Sequence, residues 1–431
     1  RQPAGAGGHR RADAAPLAST TADPNRPPAN CSGGPFCDNP RNLPLRAGVY
    51  SGTPAHPSET LPMTRRALLA CSALALTLPV ATPADWSRFR GPNGTGTADG
   101  EMPAINPKAP LWKAAVPGRG AGSPIVVGGK VYLQTAAADG SKRSLLCLDA
   151  ATGATVWTKD ADGAAAHTHA KNTLASSTPA CDGKQVYAVW WDGSGVSVYG
   201  YDLTGAEKWR TSLGGYKSQH GPGFSPVVHE GLVFVNVDDD ERAELVAVDA
   251  RTGAKKWVKE RKHVRACYST PFLLTREGKP AELILGTTTA ITSYEPATGK
   301  VNWNYDVVWP KGKMPLRVIA HPVYAGGLLV MTSGDGGGSR YMVAVDPDQK
   351  APAKVWELSK EIPYVPCLLA RGDLLFWIGD NKGSFACCAD AKTGKVLFNE
   401  RLLAKEPSAS PVMVGDKILM IAEDGEFVVF K

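Results

Sequence analysis

The stretch Leu145–Trp157, LLCLDAATGATVW, decides the fold because nearly the same phrase returns several times along the chain. Each copy contains an acidic residue, a turn that usually reads Thr-Gly, and an aromatic residue a few positions later. Self-similarity at a fixed spacing is the signature of a repeat architecture. The copies, from the acidic residue to the aromatic one, are Asp149–Trp157, Asp202–Trp209, Asp249–Trp257, Glu295–Trp303, Asp346–Trp356 (with an insertion) and Asp390–Phe398.

A second marker lies upstream of each phrase and consists of one residue followed by proline. The residue before the proline is Ser or Thr in five of the seven markers. Successive markers are 44 to 55 residues apart, which is the size of one small β-sheet with its turns. The markers are Ser123-Pro124, Thr178-Pro179, Ser225-Pro226, Thr270-Pro271, His321-Pro322, Val365-Pro366 and Ser410-Pro411.

Each repeat predicts four antiparallel strands. A short apolar strand follows the proline, an alternating strand such as QVYAVW comes next, and an apolar strand then leads into the Thr-Gly turn and the Trp strand. Turn signals every 8–12 residues are typical of an all-β fold. Four-stranded antiparallel repeats of this length predict a seven-bladed β-propeller. Eight blades are the alternative, with Asp85–Gly100 as the extra blade, although that stretch lacks alternation.

The last repeat has only three predicted strands, within Ser410–Lys431. We expect the missing strand to come from Ala109–Gly118, which contains Trp112. Pairing of N-terminal and C-terminal strands would close the ring and remove its exposed edges.

The sequence before the repeats divides into two segments. Residues 1–62 are rich in Pro, Ala, Gly and Arg without periodicity, and we interpret them as a disordered or non-native upstream extension. Residues 63–84 begin with Met and a basic pair, continue with an apolar run and end with small residues, as a secretory signal peptide does. The alternative is a genuine disordered region followed by a short apolar helix. Two arginines, Arg65 and Arg66, leave general and twin-arginine export both open.

The remaining 85–431 form the predicted propeller, an exported protein of the periplasm or cell envelope. This part holds 40 Lys and Arg against 37 Asp and Glu, a balance that argues against nucleic-acid binding. It contains no apolar run long enough to span a bilayer, and we expect a monomer. Its six cysteines lie mostly in strand-like runs without metal-ligand spacing, so we expect buried free thiols and no metal site.

The repeated Asp-x-x-Thr-Gly-x-x-x-Trp phrase resembles the repeat of pyrroloquinoline quinone (PQQ) enzymes and their relatives. The resemblance covers about Trp86 to Lys431, and DWSRFRGPNGTG at Asp85–Gly96 is similar to exported PQQ-like propellers of bacteria. The same fold occurs in the propeller lipoprotein of the outer-membrane barrel assembly machinery, which is a scaffold and not an enzyme. The resemblance therefore implies the fold, whereas function depends on the site.

The quinoprotein dehydrogenases in this group imply a cofactor, PQQ with calcium. They carry a catalytic Asp, a Glu and an Asn on the calcium, and a vicinal cysteine pair over the cofactor. This chain has an adjacent pair, Cys387-Cys388, but in a strand-like run rather than a loop. No motif here matches the calcium ligands or the catalytic Asp, so the catalytic residues stay unknown.

The loops that lead into the first strand of each blade should surround one mouth of the central channel. Five of the eight histidines lie in these connectors, among them His263. Converging cations would suit an anionic ligand such as PQQ, an acidic carbohydrate or an acidic protein segment. The predicted rim residues are Arg119, His167, His169, Lys171, Asn172, Lys217, His220, Arg265, Arg317, His321, Tyr364 and Glu406.

Three functions follow from these patterns. The first is a binding or scaffold module of the cell envelope, with a protein or an anionic small molecule as its partner. The alternative is a PQQ-dependent oxidoreductase of the alcohol or sugar dehydrogenase type. A further alternative is a carbohydrate-binding or carbohydrate-active propeller that uses Trp190, Trp191 and Trp309 at the rim.

Overall fold

The fold is a ring of seven four-stranded sheets. The computed structural model describes residues 85–262, 264–309, 315–349, 351–379 and 384–431. Within them the chain forms 28 strands in seven sheets and no helix, and so no helix able to cross a membrane. The predicted seven-bladed β-propeller is confirmed. The segments 1–62 and 63–84 lie outside the described residues.

Blades 1 to 6 each use four consecutive strands. Blade 1 is β2 (Ile125–Val127), β3 (Lys130–Ala136), β4 (Lys142–Asp149) and β5 (Thr155–Asp162). Blade 2 is β6 (Ala180–Cys181), β7 (Gln185–Trp191), β8 (Gly195–Asp202) and β9 (Glu207–Gly215). Blade 3 is β10 (Val227–His229), β11 (Leu232–Asp238), β12 (Ala243–Asp249) and β13 (Lys255–Glu260).

The second half of the ring continues the order. Blade 4 is β14 (Phe272–Arg276), β15 (Lys279–Gly286), β16 (Ala290–Tyr294) and β17 (Val301–Asp306), and blade 5 is β18 (Val323–Ala325), β19 (Leu328–Gly334), β20 (Arg340–Asp346) and β21 (Ala353–Leu358). Blade 6 is β22 (Leu369–Arg371), β23 (Leu374–Gly379), β24 (Ser384–Asp390) and β25 (Val396–Leu403). Blade 7 is β26 (Val412–Val414), β27 (Lys417–Ile421) and β28 (Phe427–Phe430), joined by β1 (Thr97–Ala98).

The strands differ in burial according to their distance from the ring axis. The second and third strands of a blade are covered on both faces by the neighbouring blades, so β11 and β19 are buried almost throughout. Such strands read as apolar runs. The fourth strands, such as β13, alternate between exposed and half-buried residues because they form the outer surface.

The repeated phrase joins each blade to the next one. Trp209 of blade 2 donates a hydrogen bond from Nε1 to the carbonyl of Ala250 in the turn of blade 3, 3.0 Å away. Its ring lies over Gly253, where an added Cβ would come within 2.5 Å of Trp209 Cε3. Gly253 also has a positive φ of 73°, which favours glycine. The same Trp–Gly contact occurs between Trp112 and Gly153, Trp157 and Gly205, Trp257 and Gly299, and Trp356 and Gly394.

The contact is missing between blades 4 and 5. The blade 5 turn carries the insertion and has no Thr-Gly, so Trp303 has no glycine beneath it. Trp303 Nε1 donates instead to Glu282 Oε2 of its own blade, 3.0 Å away. Arg276 pairs with Glu282 and reaches Asp348 in the insertion-bearing turn. An ion-pair cluster thus replaces the glycine contact here.

A strand from before blade 1 closes the ring. β1 pairs in parallel with β26, with Thr97 opposite Met413 and Ala98 opposite Val414. Closure by pairing is therefore confirmed, but through the inner edge of blade 7. The Ala109–Gly118 segment is not a strand, which corrects our expectation for it. Trp112 is placed by its Trp–Gly contact with blade 1, where its Nε1 donates to the Ala150 carbonyl, 2.9 Å away.

The stretch 85–98 crosses the centre of the ring and is not an eighth blade. Its backbone bonds to the inner strands: Trp86 pairs with Val126 of blade 1, and the Cys181 amide of blade 2 donates to the Ser87 carbonyl. Thr95 accepts from the Ala370 amide of blade 6, 3.4 Å away. These contacts lie toward the turns that end the inner strands. The connectors that enter the inner strands lie at the opposite end, which we call the mouth.

Candidate binding site at the mouth of the ring

Hydrogen bonds link the Ser and Thr residues of successive x-Pro markers around the mouth, from the backbone amide of one to the hydroxyl of the next. The Ser123 amide donates to Thr178 Oγ1 of the next blade, 2.9 Å away, and the Thr178 amide donates to Ser225 Oγ, 2.9 Å away. The Ser225 amide continues the series to Thr270 Oγ1, 3.1 Å away. Since each connector ends at such a residue, the series fixes where the connectors reach the mouth.

Two connector histidines meet at the mouth. The rings of His169 and His220 lie 5.0 Å apart between centroids, and His220 is 5.9 Å from the ring of Tyr268. The hydroxyls of Ser218 and Tyr268 lie 2.9 Å apart. Asn172 Nδ2 donates to the His220 carbonyl, 2.7 Å away, and holds the first two connectors together. Connectors from three successive blades thus form one side of the site.

Two arginines from later connectors complete the cluster. Arg317 Nη2 donates to Gln219 Oε1, 3.3 Å away, and its backbone pairs with Gly334 of β19. Arg265 Nη1 donates to the Pro315 carbonyl, 3.0 Å away. Asp240 holds two of the connectors in position. Its carboxylate accepts hydrogen bonds from the backbone amides of Gln219 and Ala266, each 3.1 Å away.

The cluster has a positive electrostatic environment. Burial, the charge of Arg317 and the neighbouring His169 lower the pKa of His220 to about 4, although Asp240 acts in the opposite sense. His220 is therefore uncharged at neutral pH. Among the residues that the structure describes, neither its buried Nδ1 nor the buried Nε of Arg317 has a hydrogen-bond partner. Unpaired polar atoms of this kind are costly in a protein interior and favour a polar ligand or water.

The structure brings five of the predicted rim residues together. Burial raises the pKa of the Tyr364 phenol, whereas the neighbouring charges of Arg317 and Arg265 act in the opposite sense. The guanidinium of Arg340 lies 5.0 Å from the Tyr364 ring centroid. The residues that meet at the mouth, and that we name the mouth cluster, are His169, His220, Arg265, Arg317 and Tyr364, with Tyr268 and Gln219.

Other predicted rim residues have different surroundings. Lys171 forms an ion pair with Glu423 of blade 7, 2.6 Å long, and Lys217 forms one with Glu241, 2.7 Å long. Their charges are thus largely compensated. The carbonyl of Glu406 accepts from the Glu423 amide, 3.1 Å away. Arg119 and His167 are exposed, and His263 lies outside the described residues. Asn172 contacts the mouth cluster through its side-chain amide, which donates to the His220 carbonyl as described.

His321 is not on the rim, contrary to our expectation. It takes the marker position where most blades have Ser or Thr, and its larger side chain extends into the centre of the ring. Only 3% of its surface is exposed. The ring stacks on Phe272 at 5.8 Å and meets the edge of Phe89 at 5.6 Å.

Two of the three tryptophans expected to bind carbohydrate are buried. Trp190 and Trp191 are 3% and 6% exposed and belong to the core between blades. Trp309 is half-buried, and its Nε1 donates to the Thr288 carbonyl, 2.9 Å away. Aromatic residues in β7 have a packing role because that strand is covered on both faces.

The residues present do not fit a quinone and calcium site of the dehydrogenase kind. Cys387 and Cys388 lie inside β24 as buried free thiols, and burial raises the pKa of Cys387 to about 12. Both carboxylate oxygens of Asp240, at the mouth, accept backbone amides. Among the described residues, no group of three His, Cys, Asp or Glu side chains is arranged to hold a metal ion.

Several residues of the site were absent from the sequence-based prediction. Gln219 is adjacent to His220, and Tyr268 lies three positions after Arg265 and two before the Thr270-Pro271 marker, so a prediction that used every polar residue of each connector would have included both. Arg88 and Arg90, which lie in the stretch across the ring centre, carried no repeat signal. Only the unusual DWSRFRGPNGTG sequence pointed to that stretch.

The geometry can be compared with known proteins. A family model described as outer membrane protein assembly factor BamB matches residues 94–213 and 142–387. The protein of that name from Burkholderia pseudomallei is 26% identical over 318 residues, which cover 72% of this chain and 74% of the relative.

Two solved structures are similar in fold. BamB from Moraxella catarrhalis matches with a TM-score of 0.50 at 19% identity, covering 70% of this chain and 80% of that one. A quinohemoprotein alcohol dehydrogenase from Pseudomonas putida matches with a TM-score of 0.51 at 19% identity. That match covers 71% of this chain and 61% of the dehydrogenase, less than two thirds of its length. At these identities both structures support the propeller fold alone.

Proposed function

This chain belongs to the family of the outer membrane protein assembly factor BamB, and from that membership we propose that it is a binding or scaffold module of the cell envelope. A propeller suits this role because it presents a rigid ring with loops gathered at one mouth. The proposal includes export directed by residues 63–84. Mass spectrometry of the N-terminus of the protein recovered from its native envelope tests that part, with cleavage after about residue 84 expected.

We further propose that the mouth cluster binds an acidic segment of a protein partner. The observation that carries this proposal is the convergence of Arg265 and Arg317 near Asp240, whose two carboxylate oxygens both accept backbone amides. Guanidinium groups bind carboxylates through paired, charge-assisted hydrogen bonds.

A fluorescently labelled glutamate-rich peptide, titrated into the full chain at low salt, tests this proposal. We expect saturable binding that weakens as salt is added, since the contacts are ionic. The double variant Arg265→Gln/Arg317→Gln should weaken binding about tenfold or more, because each charged hydrogen bond contributes roughly 1.5–3 kcal/mol.

The matched control is Arg251→Gln, which removes an exposed arginine in the outer turn of blade 3. It lowers net charge without touching the mouth. Equal weakening by Arg251→Gln and by single mouth variants would indicate a general charge effect and contradict the proposed site.

A further inference from the structure

Two arginines are buried at the centre of the ring. Arg88 and Arg90 are 6% and 4% exposed. Arg88 Nη2 donates to the Pro92 carbonyl, 2.7 Å away, and Arg90 Nη2 donates to the Leu368 carbonyl of the connector into blade 6, 3.3 Å away. Arg90 has a positive φ of 64°, which turns the stretch back on itself inside the ring.

The local backbone is shaped around the Arg90 guanidinium. A Cβ added to Gly96 would lie 1.8 Å from Arg90 Nη2 and 2.8 Å from a methyl of Leu369. The guanidinium therefore occupies a slot between Gly96 and the inner strand of blade 6. Its position is fixed by packing.

Neither arginine has a carboxylate partner among the described residues. Burial alone acts on Arg88 and lowers its pKa to about 10, so it is charged at neutral pH. Burial also lowers the pKa of Arg90, and Cys367 acts in the opposite sense. The Nε of Arg90 is buried, and no group in the described part of the chain forms a hydrogen bond with it. A buried charge is costly unless an opposite charge and full hydrogen bonding compensate it.

An unpaired acceptor lies in the same region. His321 Nδ1 is 2.5 Å from the carbonyl of Pro322, which can only accept, so Nδ1 carries the proton. Burial and the charges of Arg90 and Arg88 lower the pKa of His321 to about 3, so the ring is neutral. Nε2 is then a lone-pair acceptor, and it is buried with no hydrogen-bond donor from any of the described residues.

We propose that the centre of the ring is a binding site for hydrogen phosphate, with its charge compensated by Arg88 and Arg90 and its proton donated to His321 Nε2. Two guanidiniums alone would accept any oxyanion. An acceptor that contacts the same ligand would select one that carries a proton. At neutral pH phosphate has such a proton, whereas sulfate has none.

This site is separate from the mouth cluster and does not rest on the proposed function. The mouth offers Arg265, Arg317 and His220 on loops. At the centre, the donors Arg88 and Arg90 and the acceptor His321 lie between the stretch 85–98 and the inner strands.

Titration of the full chain with inorganic phosphate and with sulfate, at equal ionic strength and pH 7.5, tests the proposal. Calorimetry and the ³¹P linewidth of phosphate report binding directly. We expect phosphate to bind at least about tenfold more tightly than sulfate, because sulfate would leave the buried acceptor unpaired. Bound phosphate should also raise the melting temperature in a saturable way.

Two variants locate the site. Arg90→Gln should weaken phosphate binding at least about tenfold, through loss of a charged partner. His321→Phe keeps an aromatic ring between Phe89 and Phe272 but removes the acceptor, so the ratio of phosphate to sulfate affinity should fall to about one. If Arg90→Gln does not fold, His321→Phe decides, and Arg251→Gln is the control for net charge.

Three results would overturn the inference. One is equal affinity of the wild-type chain for phosphate and sulfate. Another is absence of phosphate binding at millimolar concentration, which would leave water as the partner of Arg90 Nε and His321 Nε2. The third is loss of binding in Arg265→Gln/Arg317→Gln with no change in Arg90→Gln, which would move the anion to the mouth.

Discussion

The outer and inner parts of the ring are held together by different means. Near the outside, the Trp–Gly contact repeats at five of the junctions described here, and every copy uses the same residues in the same geometry. At the centre, one stretch that occurs only once, 85–98, touches blades 1, 2, 6 and 7 through its backbone. The difference teaches that the repeat specifies neighbour-to-neighbour packing, whereas the non-repeating stretch joins distant blades and brings two buried arginines, Arg88 and Arg90, to the centre of the ring. Three predictions test this contrast.

The largest effect should come from removing one outer tryptophan. Trp209→Ala deletes a side chain that is 8% exposed and bonded to the next blade. We expect a loss of about 3–5 kcal/mol in the free energy of unfolding, measured with urea, as is usual for a buried Trp replaced by Ala.

The matched comparison is Trp303→Ala at the junction that lacks the glycine contact. Trp303 is half-buried and forms its hydrogen bond within its own blade. Trp303→Ala should therefore lower the free energy of unfolding clearly less than Trp209→Ala does. Equal losses at the two positions would show that the contact with the neighbouring blade does not matter.

A smaller effect should come from adding one methyl group to an outer turn. Gly253→Ala places Cβ 2.5 Å from Trp209 and keeps a positive φ, so we expect destabilisation of about 2–4 kcal/mol, the sum of backbone strain and overpacking. Gly231→Ala has a similar φ of 75° but open space around its Cβ, and should cost only about 1 kcal/mol. The difference between the two unfolding midpoints isolates the contact with Trp209.

The smallest effect should come from the acidic residue of the turn. Hydrogen bonds from Thr252 and the backbone lower the pKa of Asp249 to about 2, and Asp202 is similarly lowered by Thr204. A carboxyl with a lowered folded-state pKa stabilises the fold above its unfolded value, about 3.9. This contribution disappears as pH falls from about 4 toward 2.

The unfolding free energies of wild type and Asp249→Asn should therefore differ most near neutral pH and converge at about pH 2. Urea unfolding at a series of pH values measures this difference. A constant difference across the range would mean that the Asp249 charge has no part in the turn.

The contrast also explains what could be predicted from the sequence. Blade number and strand order followed from the phrase and the x-Pro markers because each blade contacts mainly its neighbours. His321 could not be placed in this way. Its position in the repeat indicated a rim residue, but its size and the packing of Phe89, which is distant in sequence, put it in the core. The role of the stretch 85–98 depends on contacts with blades made much later in the chain, and such contacts leave no periodic signal.

At the mouth, the sequence predicted that basic residues gather but not which remain available. Lys171 and Lys217 have carboxylate partners from Glu423 and Glu241, which lie in strand-connecting turns of other repeats. Arg317 instead reaches the amide oxygen of Gln219, so its charge is uncompensated by that contact. Pairing of exposed charges depends on side-chain reach across loops, which a repeat pattern does not encode.

The two-residue pairing of β1 with β26 has a consequence for the order of assembly. Because β26 belongs to the seventh blade and β1 precedes the first, the ring can close only when blades 1 to 6 have stacked as an open arc. Each end of that arc exposes a whole apolar sheet face, and closure over so long a chain segment is entropically slow. Once β1 is paired, unfolding must first break the ring at one place. Slow closure and slow opening together predict a protein that persists by kinetic resistance, beyond what its equilibrium stability alone would give.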